Sequence, residues 1–144
     1  MKTTYLLAAL ALSLATGAFA SPITYTAALS GPNESPANTS PGTGFATVIF
    51  DSVAHTLAVT VDFSGLEGTT TASHIHCCTP SPFSGTAGVA TQTPTFVDFP
   101  LGVTSGTYSN SFDTSLASTY NPAFVAANGG SVSATEAAFA AGLA

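Results

Sequence analysis

Ser73-His74-Ile75-His76-Cys77-Cys78 gathers two of the chain's three histidines and both of its cysteines into one short run. In an extended segment, residues i and i+2 project from the same face, with a rise of about 3.3 Å per residue. His74 and His76 therefore aim both imidazoles to one side, a spacing that suits a metal taking two ligands from one strand. If the strand continues, Cys78 joins that face and Cys77 turns away. Imidazole and thiolate suit copper or zinc, whereas magnesium and calcium demand oxygen ligands. No fourth ligand stands at an obvious spacing, and His55 reads as a surface residue in a turn.

Three other readings of these residues stand beside metal binding. The histidines can be structural, one ring hydrogen-bonded within the sheet and the other half-exposed. Cys77 and Cys78 can pair with each other in an oxidising compartment, which would exclude thiolate ligation. Neighbouring Cα atoms across a trans peptide lie about 3.8 Å apart, below the separation of about 4.4–6.8 Å usual for a disulfide. An exposed thiol could instead bridge two copies of the chain. Hydrolase chemistry finds less support. The sequence has no G-x-S-x-G elbow, and Glu34 and Glu67 fall in a loop and a turn, a carboxylate pair only if the fold unites them. Asn33-Glu-Ser35 and Asn38-Thr-Ser40 match the glycosylation sequon.

The elements that must position this cluster begin after a leader. Lys2, the apolar run Tyr5 to Ala15 and the small-x-small step Ala18-Phe19-Ala20 predict a secretory signal peptide over residues 1–20, cleaved after Ala20. The expected mature chain, 21–144, is one domain, secreted or periplasmic, and no later segment is long and apolar enough to cross a bilayer. Lys2 is the only basic residue against seven Asp and Glu, for a net charge of −6. With nothing to neutralise phosphates, nucleic acid is excluded as a partner. Anionic lipid headgroups are disfavoured for the same reason. Stability must come from apolar burial and backbone hydrogen bonds, because only a protonated histidine could form an ion pair.

Abundant Thr, Val and Phe between Gly/Pro turns is the composition of a β-rich domain. The spacing predicts strands at Ile23 to Leu29, Gly44 to Asp51 and Thr56 to Phe63, the last two as a hairpin in which Leu57, Val59, Val61 and Phe63 share a face. Residues 31–43 form a loop dense in turn formers. A short His74/His76 strand follows, then a long connection from Cys77 to Pro94 with a brief strand around Ala87 to Thr91. Thr104 to Phe112 is a further strand. Asn121-Pro122 opens a helical turn that ends at Asn128-Gly129-Gly130. Ser133-Ala-Thr-Glu136 fits a capping box, predicting a helix from Ala134 to about Leu143.

Several stretches carry a resemblance. Leu29-Ser-Gly-Pro-Asn-Glu34-Ser-Pro36, then Gly42-Thr-Gly-Phe-Ala46, Gly65-Leu66 and Ala72-Ser-His-Ile-His76 resemble the CHRD (chordin) domain, whose signature is His-Ile-His. Gly102 to Tyr108, Phe112-Asp113 and Asn121-Pro-Ala-Phe124 are similar to its bacterial secreted members. The resemblance implies a mainly β fold: an antiparallel, Greek-key-like β-sandwich with a short C-terminal helix. It also implies a further strand with a third histidine beyond Ala144, so the sheet is expected to lack its last strand. A more distant likeness links the Gly-Leu turn and His-x-His to the copper-binding strand of Cu/Zn superoxide dismutase. The dismutase's other histidines and its active-site arginine have no counterpart here.

These observations set the functional expectation. It is an exported, non-enzymatic extracytoplasmic binding module, with His74, His76 and Cys78 as candidate copper or zinc ligands and an extracellular protein or a metal ion as partner. The alternatives are a protein-interaction or structural domain without metal and, with least support, a copper-dependent redox enzyme.

Overall fold

Alternation of apolar and hydroxyl side chains shapes the centre of the molecule. The structure, a computed structural model of the chain, describes residues 21–81 and 84–143. The expected signal peptide lies outside the described residues. Four strands, β1 (Ile23–Ser30), β2 (Thr43–Asp51), β3 (Thr56–Ser64) and β4 (Gly106–Asp113), form one antiparallel sheet in the order β1-β2-β3-β4. Register sets Phe50, Leu57 and Phe112 side by side, and likewise Val48, Val59 and Asn110. That face is the inner one: Phe50, Leu57, Val59, Tyr108 and Phe112 are all buried.

The outer face carries the other parity. Thr26, Thr47, Thr60 and Ser109 stand in one cross-strand row, bordered by Thr24, Ile49, Ala58 and Ser111. Its only charged residues are Asp62 and, at one end, Asp51 and Asp113. Phe45 and Ile49 are exposed on it.

The inner face is covered by the connection between β3 and β4 and by two helices, α1 (Pro122–Ala127) and α2 (Val132–Leu143). The architecture is thus mainly β, sandwich-like, with a C-terminal helix. Phe139 of α2 is fully buried and meets Phe50, Tyr120 and Phe124 edge-on at centroid distances of 6.2, 6.1 and 6.4 Å. Phe96, from the connection, stacks on Phe112 and Tyr108. Such offset and T-shaped contacts suit the ring quadrupole and add to the burial of area.

Local chemistry explains the helix ends. The Asn121 side chain accepts from the Ala123 amide and Pro122 opens α1, where its missing N–H is no loss. Gly129 and Gly130, both at positive φ, reverse the chain after it. The capping box expected at Ser133 and Glu136 is replaced by another arrangement. The helix starts earlier, Ser131 Oγ accepts from the Ala134 amide at 3.3 Å, and Glu136 is turned into the protein.

The covering connection is a ragged ribbon. Leu66 and Thr70 pair with the backbone of Thr104 and Val103, and Cys77 and Ala90 with that of Gly88 and Ile75. Where Pro94 and Pro100 spoil a regular ladder, threonine hydroxyls take over. The Ser73 amide donates to Thr95 Oγ1 and the Ile75 amide to Thr91 Oγ1, each at 2.9 Å. Thr70 Oγ1 donates to the Pro100 carbonyl at 2.7 Å. The expected strands at His74/His76 and Ala87 to Thr91 therefore appear as single bridges, His76 with Val89 and Thr91 with Tyr120. No helix among the described residues is long and apolar enough to cross a membrane.

Candidate functional site

The ribbon holds Ser73 to Cys77 extended, and this brings His74 and His76 to the same side. Their ring centroids are 6.1 Å apart and their planes inclined by 77°. His74 is half-buried and His76 exposed. His74 Nε2 lies 2.8 Å from the Pro94 carbonyl, and His76 Nδ1 lies 2.8 Å from the Ala87 carbonyl. A carbonyl only accepts, so each of those nitrogens carries the proton. In the neutral rings the lone pairs then fall on His74 Nδ1 and His76 Nε2. Ligating histidines are commonly held this way, one N–H given to a backbone carbonyl while the other nitrogen binds. With metal–nitrogen bonds of about 2.0–2.1 Å, two rings on one tetrahedral ion would hold their centroids about 5 Å apart. The pair sits about 1 Å wider than that.

Cys78 stands elsewhere in the chemistry. Its Sγ is bonded to Cys77 Sγ, and the intervening peptide is cis. In this oxidised form neither sulfur is a thiolate, so Cys78 has no charge to offer an ion. Cys77 is buried within the core cluster, whereas Cys78 is exposed, its Sγ lying 3.7 Å from the Ala138 carbonyl of α2. His76 and both cysteines line one cleft, closed by Glu34, Ala87 and Gly142. Among the described residues, no three His, Cys, Asp or Glu side chains converge as a ligand set. Glu34 and Glu67 are both exposed, and Glu34 faces this cleft and a second hollow bounded by Leu29, Val61, Phe63 and Phe99.

A second polar cluster carries no pattern in the sequence. His55, at φ 53 in the β2–β3 turn, directs Nδ1 to both oxygens of Glu136, at 3.0 and 2.9 Å. The Thr114 hydroxyl donates to the same carboxylate, and the Thr114 amide donates to the His55 carbonyl at 2.8 Å. The Glu136 hydrogen bond and charge raise the His55 pKa above its ordinary value, opposed by desolvation and helped to a lesser extent by Asp113 and Asp51. The Asp113 pKa is lowered, chiefly by the Ser115 hydroxyl and amide and further by His55. Burial, reinforced by Glu136, pushes the Tyr120 phenol up; its hydroxyl donates to the Thr114 carbonyl at 3.1 Å. The only sequence signal for this cluster is that Glu136 is the one charged residue in its helix and His55 is outside the His-Ile-His run.

A CHRD domain family model matches residues 25–142, nearly the whole chain. No curated protein and no solved structure gives a significant match.

Proposed function

The chain belongs to the CHRD domain family, and from that membership we propose that it is an exported, non-enzymatic binding module whose His74 and His76 offer a two-nitrogen site for copper or zinc. The observation that carries the reading is the orientation of the two rings. Each gives its N–H to a backbone carbonyl 2.8 Å away and keeps the other nitrogen as a donor. Two protein ligands leave coordination positions open, so the rest of the shell would come from water or from a partner's side chain. Residues 1–20, with their apolar run and small-residue cleavage step, supply the export signal in this reading. A mature chain without lysine or arginine adds that neither nucleic acid nor an anionic membrane surface is its target.

Copper(II) titration of the chain 21–144 tests the site. We expect one equivalent bound by the native protein and none by a His74→Ala/His76→Ala variant; equal uptake by the two would remove the metal from the proposal.

A specific observation favours a second reading. The carbonyls that the histidines hold, Ala87 and Pro94, belong to the opposite side of the ribbon. The rings would then be staples of a protein-interaction or structural domain, and chelators would leave its Tm unchanged while His74→Ala lowers it.

A further inference from the structure

We propose that the hollow between the sheet and the loop over residues 31–42 is a binding site for a small organic cation, an ammonium group on a compact aromatic or branched aliphatic body. The hollow measures about 340 Å³, at the small end of the roughly 300–1,000 Å³ usual for small-molecule sites. Leu29, Val61, Phe63, Leu66 and Phe99 give it apolar walls. Burial along β3 shows that these walls are incompletely covered. Leu57 and Val59 are 0% and 2% exposed, whereas Val61 and Phe63, next on the same inner face, are only half-buried. Apolar surface facing a hollow is what an apolar guest covers, with a gain that grows with the area removed from water. Phe63 stacks on Phe99 at a centroid distance of 5.7 Å, and aromatic faces attract cations as well as apolar groups.

The rim of the hollow is fixed by its own hydrogen bonds. The Asn38 amide donates to the Gly31 carbonyl at 2.9 Å, the Ser40 amide to Asn38 Oδ1 at 2.9 Å and the Gly42 amide to Ser40 Oγ at 3.2 Å. Gly42 packs so closely on Leu66 that an added Cβ would sit 2.6 Å from Leu66 Cδ2. A rim formed in advance lowers the ordering cost of binding. Charge then selects among guests. Glu34 is the one ionised side chain at the hollow, and the ion pair among the described residues, His55 with Glu136, leaves it without a counter-charge. Residues 21–144 contain no lysine or arginine, so nothing there could hold a carboxylate or phosphate guest. An ammonium instead meets Glu34 at the rim while its body rests among the apolar walls. Neither His74 nor His76 borders this hollow, so the site stands whether or not they bind metal.

Titration of the chain 21–144 followed by NMR tests the site, in about 0.15 M salt to screen distant charges. The probes are phenethylamine, its neutral analogue 2-phenylethanol and the anionic 3-phenylpropionate. We expect phenethylamine to shift the ring signals of Phe63 and Phe99. It should bind about threefold more tightly than the alcohol, the advantage of an exposed ion pair, and phenylpropionate should bind weakest. Glu34→Gln should bring amine and alcohol to equal affinity. Ala72→Phe, which enlarges an exposed side chain at the hollow, should weaken both. Equal affinity of the native protein for amine and alcohol, an amine preference that survives Glu34→Gln, or shifts that avoid Phe63 and Phe99 would each overturn the proposal. The amine-to-alcohol ratio and the ring shifts are read on the native chain, so the test stands even if a variant fails to fold.

Discussion

His55 in the β2–β3 turn and Glu136 in α2, 81 positions apart, are joined by Nδ1 at 2.9 and 3.0 Å from the two carboxylate oxygens. This is the ion pair formed among the described residues, and it ties the C-terminal helix to the far end of the sheet. Its strength follows the charge on a half-exposed imidazole. The folded-state pKa of His55 is raised, so its stabilising contribution is complete below the free imidazole value of about 6.5 and is lost as pH climbs through the folded value. We expect the Tm of the native protein to fall as pH rises from about 6 to about 8.5, and His55→Gln to flatten that slope. Thermal melts across the range check the sign; a native Tm that rises with pH would contradict it.

Phe139 is fully buried where Phe50, Tyr120 and Phe124 meet. Phe139→Ala should cost about 3–5 kcal/mol, from lost transfer energy plus the cavity left behind. Urea denaturation should show a lower midpoint with little change in slope. Phe139→Leu, which keeps most of the volume, should fall well short of that loss.

The Thr91 hydroxyl accepts the Ile75 amide and is itself fully buried. Thr91→Val preserves shape and removes the acceptor, leaving a backbone donor unsatisfied at a cost of about 1–3 kcal/mol. Because Ile75 lies between the two histidines, hydrogen exchange at its amide should quicken and copper affinity should fall with stability. Thr95→Val, at the less buried partner of Ser73, should do less.

Period-two alternation made the β2–β3 hairpin legible. Leu57 and Val59 had to face a core, and they do, with ends within a residue or so of those expected. Asn121-Pro122 and the paired glycines similarly marked α1 through local rules alone. The start of α2 was harder to read. Ser133 and Glu136 satisfy a local capping pattern, but Glu136 finds a stronger partner in His55, a contact created by tertiary structure. The ribbon over residues 66–104 was obscure for a different reason. Threonine side chains, which no periodicity reports, do the work of backbone acceptors there. The His-Ile-His run announced two rings on one side, and the carbonyls that fix their tautomers come from positions 11 and 20 residues onward.

The row of Thr26, Thr47, Thr60 and Ser109 gives the sheet's outer face a character set by hydroxyls instead of ions. Whatever rests against that row would meet dipoles and methyl groups, and the charge that dissolved salt could mask is the Asp62 carboxylate in the next row.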